Sequence, residues 1–71
     1  EIKEVQKYLC TIPSSRRVDI LDIGCGTGVI SGEFKHSNVF TTGIEPSQIA
    51  CDLAENRLDS VLCGFYENFT T

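Results

Sequence analysis

The residues of this chain with the clearest chemical potential are two carboxylates and a run of glycines. Asp22, Gly24, Gly26 and Gly28 occupy every second position of DIGCGTG, and Glu45 follows Gly24 at an interval of about 20 residues. Glycine reaches backbone angles closed to other residues and lets a ligand approach the main chain closely. A helix opening directly after such a turn presents unpaired N–H groups and a partial positive charge. An acid at the tip of the following strand accepts hydrogen bonds from the two vicinal hydroxyls of a ribose. In this order, these residue types describe half of a nucleoside-binding site.

The elements that must position them follow from the patterning. Ile2, Val5, Leu9 and Ile12 recur at spacings of three and four, predicting an amphipathic helix over 2–12 that Pro13-Ser14-Ser15 ends. VDILDI at 18–23 is close to the continuous apolar run of a strand buried on both faces. After the glycine turn, a second helix is expected over 27–35, burying Val29, Ile30 and Phe34. VFTTGI at 39–44 is rich in β-branched and aromatic residues and predicts a second strand closed by Glu45. Pro46-Ser47 suits the start of a third helix, with Ile49, Ala50, Leu53, Ala54 and Leu58 on one side until Asp59-Ser60 breaks it. Val61, Leu62 and Cys63 predict a short third strand, and 64–71 a loop. Strands alternating with helices, α-β-α-β-α-β, imply an α/β fold with right-handed crossovers and a parallel sheet.

Two motifs carry a resemblance. VDILDIGCGTGVIS resembles the first motif of class I S-adenosylmethionine-dependent methyltransferases, and TTGIEPSQIACDLA resembles their second. With the strand that follows, they cover residues 18–64. The resemblance implies a partial Rossmann-like three-layer sandwich with strand order 3-2-1, and S-adenosyl-L-methionine as cofactor. Gly24, Cys25, Gly26 and Gly28 would lie under its methionyl part. Asp22 would face its ammonium, directly or through water. Glu45 would take the ribose hydroxyls, and Pro46 would edge the adenine. Many family members place an acid after the glycine that follows the third strand; here that position is Phe65, after Gly64. Adenine recognition would then rest on apolar contact, on backbone groups or on Glu67.

Other readings compete with this one. A dinucleotide fingerprint, Gly-x-Gly-x-x-Gly, fails at Val29. Cys25 sits where a helix N-terminus would activate a thiol, yet no partner base is near in sequence, and a small residue is needed between two glycines. Asp22 could instead cap a helix, Glu45 could be a solvated strand end, and a scaffold can keep this fold without turnover. His36 fits a surface position at a helix end.

Composition narrows the class further. The chain has 71 residues, 41% hydrophobic and 23% charged, which is globular rather than disordered. The net charge of −4 weighs against nucleic acid and leaves a small-molecule acceptor as the expected partner. The one basic pair, Arg16-Arg17, suits a solvated turn better than a phosphate site. Cys10, Cys25, Cys51 and Cys63 show no metal-ligand spacing and are expected as free thiols in a reducing cytoplasm. The apolar runs are far shorter than the roughly 20 residues of a membrane span. Beginning at Glu1 and ending without a closing element, residues 1–71 are expected to be the N-terminal part of a longer, cofactor-binding domain, with no acceptor-activating base in view. An open first-strand edge would then favour association of the isolated segment.

Overall fold

The structure is a computed structural model, and it describes Tyr8 and residues 11–13, 15–34 and 38–69. The helix expected over 2–12, together with Cys10 and His36, falls largely or wholly outside the described residues.

Three parallel strands form one sheet: β1 (Val18–Ile23), β2 (Val39–Glu45) and β3 (Ser60–Cys63). The order is β1-β2-β3, so β2 is central and β1 lies at one edge. Val18 is opposite Val39 and Ile23 opposite Ile44, while Glu45 is opposite Cys63. This register brings the C-terminal ends of all three strands to one edge of the sheet, where the glycine turn and Glu45 meet.

One helix, α1 (Gln48–Ala54), connects β2 to β3. Ser47 caps it: its hydroxyl accepts a hydrogen bond from the Ala50 N–H at 3.4 Å. A serine N-cap satisfies one of the otherwise unpaired donors of the first turn. The helix stops at Ala54, before the expected break at Asp59-Ser60. Asp59 instead pairs twice with Thr41, accepting from its N–H at 2.7 Å through the side chain and donating its own N–H to the Thr41 carbonyl at 3.1 Å. That exchange aligns the start of β3 against β2.

The core is small: Val39, Ile44, Cys51, Ala54 and Leu58 are buried, with Val39 and Ile44 on opposite faces of β2 and Ile44 level with Ile23 and Leu62. Of the side expected to be buried, Ala54 and Leu58 are buried and Ile49 and Leu53 are not. Cys51, Ala54 and Leu58 turn inward at spacings of three and four, while Ile49 and Leu53 are 77% and 47% exposed. A cysteine behaves as a small hydrophobe, and Cys51 packs in the core as a free, buried thiol.

Two further expectations are corrected. The helix expected over 27–35 does not form in its described part, 27–34: that part is a turn followed by a short 3₁₀ helix, Ser31–Phe34, with Val29 and Ile30 exposed. Gly28 adopts a left-handed φ of +80°, which a helix cannot contain, and Gly32 adds a second weak helix former beside two β-branched residues. A single α-type bond from Gly32 N–H to the Gly28 carbonyl is followed by a 3₁₀ bond from Glu33 N–H to Ile30. Likewise β1 is not buried on both faces: its burial alternates, with Asp19, Leu21 and Ile23 exposed. Those side chains share a face with Phe40 and Leu62, and α1 covers only the opposite one. Beyond β3, residues expected as loop include a second 3₁₀ turn, Tyr66–Phe69.

Candidate functional site

The glycine run is a tight turn built on alternating left-handed residues. Gly24, Gly26 and Gly28 have φ of +77°, +59° and +80°, a region that costs other residues about 1–2 kcal/mol each. The every-second-residue spacing of glycine is thus the backbone requirement of this turn. Gly24 and Cys25 both donate N–H groups to the Ile44 carbonyl, at 2.7 and 3.2 Å, which fastens the turn to the end of β2. A side chain at Gly24 or Gly26 would meet nothing within 4 Å, so the main chain there is open to a ligand. Gly28 differs: a Cβ would press on Ala54 at 3.3 Å, so that glycine also admits α1.

Glu45 closes the site from β2. Its Oε1 accepts from the Gly26 N–H at 2.8 Å and its Oε2 from the Ser47 N–H at 3.1 Å. An ionised carboxylate offers about four lone-pair positions. Two are used by these backbone groups, and two remain for a pair of donors such as vicinal hydroxyls.

Asp22, one residue before the end of β1, is half-buried and accepts a hydrogen bond on Oδ2 from the Ser31 hydroxyl. Its Oδ1 makes no hydrogen bond among the described residues. Pro46 is exposed beside Glu45. Cys25 lies inward rather than toward the open side: a Cβ on Gly43 would stand 2.5 Å from its sulfur. Burial raises the Cys25 thiol above its ordinary value, and the charges of Asp22 and Glu45 raise it further. A thiol held protonated beside two carboxylates is not a nucleophile, whatever the following turn contributes.

The structure therefore brings Asp22, Gly24, Gly26, Gly28, Glu45 and Pro46 to one edge, with Cys25 beneath them. Phe65, 60% exposed, and Glu67 follow the end of β3, where Phe69 closes over Gly64. Arg17 is engaged elsewhere, paired with Asp19 at 2.7 Å and stacked over Phe40. Among the described residues no group of three or more His, Cys, Asp or Glu could hold a metal, and no helix is long and apolar enough to cross a membrane. Cys25, Cys51 and Cys63 are free thiols.

Three contributors were missed in the sequence. Gly43 leaves room for Cys25 and Leu58, and a glycine inside a strand is itself a sign of close approach. Arg57 donates to the Thr27 carbonyl at 2.9 Å, tying the glycine turn to the segment after α1. Ser31 reaches Asp22 only because the turn is tight, and no local pattern announces that.

No protein-family model matches this sequence, and no curated protein matches it. Solved structures do. A TehB-like SAM-dependent methyltransferase from Corynebacterium glutamicum is 27% identical, with a TM-score of 0.61 over 80% of this chain and 31% of that one. The plantazolicin methyltransferase BpumL, solved with a monoazolic desmethylPZN analog and SAH, is also 27% identical, with a TM-score of 0.71 over 99% of this chain and 28% of that one. The chain thus spans under a third of the length of either enzyme. With its parallel sheet, its glycine turn and its acid-tipped second strand, the chain has the class I S-adenosylmethionine-dependent methyltransferase fold.

Proposed function

We propose that this chain is the cofactor-binding half of an S-adenosylmethionine-dependent methyltransferase. The observation that carries the reading is the placement of the Glu45 carboxylate against the Gly26 N–H, at the open side of the glycine turn.

The residues suit the cofactor in shape and in donor set. Gly24 and Gly26 leave the main chain uncovered for the methionyl part. Glu45 keeps two acceptor positions for the ribose hydroxyls, and Asp22 keeps one oxygen for the ammonium. Cys25 supports the turn from below. Pro46 and Phe65 offer apolar surface near the adenine, in place of the acid that many relatives carry after the third strand. When bound, the cofactor supplies a methyl group on a sulfonium that is a good leaving group. The chain's own part is to bind and orient it, since displacement at carbon is governed by positioning and exclusion of water. No residue among these is assigned as an acceptor-activating base. The acidic balance favours a small-molecule acceptor over nucleic acid, and the free thiols suit the cytoplasm.

Calorimetry of the full-length protein with S-adenosylhomocysteine and with NAD tests the reading. Binding of the first and not the second is expected; the reverse would replace it with a dinucleotide enzyme. Transfer of a labelled methyl group to a small-molecule pool then separates an enzyme from a scaffold that only binds.

A further inference from the structure

We propose that Ser31 is a positioning residue that orients the Asp22 carboxylate toward the ammonium end of the bound ligand. The inference rests on the cofactor reading above and adds to it a residue and a division of labour.

Ser31 is 4% exposed, one of two buried polar side chains among the described residues, and its hydroxyl donates to Asp22 Oδ2. The hydroxyl arrives there because the chain turns tightly after Gly28. The bonds from Gly32 to Gly28 and from Glu33 to Ile30 fold position 31 back over the end of β1. The terminal torsion of an aspartate is broad and roughly two-fold, so an unrestrained carboxylate samples many orientations. With Oδ2 tied to a buried donor, that rotation is stopped. Oδ1, which has no partner among the described residues, is left as the acceptor for a donor from outside. Preorganisation of this kind gains affinity by removing an ordering cost from the binding step. The effect is confined to the group that Asp22 meets, because among the described residues the Ser31 hydroxyl bonds to Asp22 and not to Glu45, Gly24 or Gly26.

The test compares two probes on the full-length protein. S-adenosylhomocysteine carries the amino-acid end, whereas 5′-methylthioadenosine keeps the adenosyl thioether without it. Calorimetry of Ser31→Ala is expected to show about tenfold weaker binding of S-adenosylhomocysteine, the scale of one hydrogen bond to a charged group, and less than about twofold change for 5′-methylthioadenosine. Ser31→Thr, which keeps the hydroxyl, restores the first value. Should Ser31→Ala fail to fold, Ser31→Cys, with a weaker donor of similar size, takes its place in the same comparison. An equal loss for both probes, or no loss for S-adenosylhomocysteine, overturns the inference while leaving the cofactor reading intact. A wild-type protein that binds neither probe overturns both.

Discussion

The Glu45 carboxylate accepts a hydrogen bond from the backbone N–H of Gly26 at 2.8 Å, across 19 residues of sequence. On the proposed reading, one side chain serves the turn and the ligand together. Glu45→Gln keeps the shape but replaces one acceptor oxygen with a donor, which would face either a backbone N–H or a ribose hydroxyl. S-adenosylhomocysteine binding should weaken by about 10- to 100-fold, the equivalent of one or two charge-assisted hydrogen bonds. Calorimetry with an unchanged dissociation constant would remove Glu45 from the site.

Gly26→Ala separates strain from occlusion. No atom lies within 4 Å of the added methyl group, so the stability cost is the left-handed backbone alone, about 1–2 kcal/mol by urea unfolding. On the proposed reading, however, the methyl group stands where the ligand approaches. Affinity for S-adenosylhomocysteine should therefore fall by more than the stability loss accounts for, and a purely proportional fall would argue that no ligand rests there.

At Gly43 the reverse holds. An added Cβ would stand 2.5 Å from the Cys25 sulfur and 2.7 Å from Leu58 Cδ1. Gly43→Ala should destabilise by about 1–3 kcal/mol through overpacking. Pairing it with Cys25→Ala should recover part of that loss, a non-additivity expected of residues in contact. Additive losses in a double-mutant cycle would contradict the contact.

The Cys51 thiol is pushed up to about 12 by burial and by the adjoining Cys63 thiol, against an ordinary value of 9.0. The folded state therefore resists losing this proton more than the unfolded chain does. The resulting stability is fully present below pH 9 and is lost progressively as the pH rises toward 12. Cys51→Ala should flatten that alkaline decline in a pH series of thermal melts. In the same pH range iodoacetamide should label the exposed Cys63 well before Cys51, as read by peptide mapping.

The edge position of β1 carries a prediction about association. Its outer hydrogen-bonding groups face no strand among the described residues, and Leu21 and Ile23 are 55% and 53% exposed beside it. An unprotected apolar edge is a template for pairing. The 71-residue segment expressed alone should elute as an oligomer, and Ile23→Lys should shift it toward monomer. A sharp monomeric peak with cooperative melting would refute this.

What the sequence determined by itself is whatever depends on local covalent freedom. β-branched runs at 18–23 and 39–44 could only extend. Three alternating glycines could only mark a backbone with positive φ. A serine before QIACDLA capped the helix that follows. The interval from Gly24 to Glu45 also carried the site, since one crossover in a parallel sheet returns the chain to the same edge. Tertiary structure decided what depends on a partner. Whether Val29 and Ile30 would be helical and buried turned on Gly28, whose left-handed φ was dictated by the turn rather than by helix propensity. Which side chains of α1 turned inward was set by the approach of the glycine turn, where Gly28 comes close to Ala54 and leaves Ile49 and Leu53 outside. Ser31 became a partner of Asp22 because the folded turn carried a buried hydroxyl to that carboxylate. A pattern along the chain records which conformations a residue permits, whereas burial and pairing are properties of two segments at once, and they exist only after the chain has closed on itself.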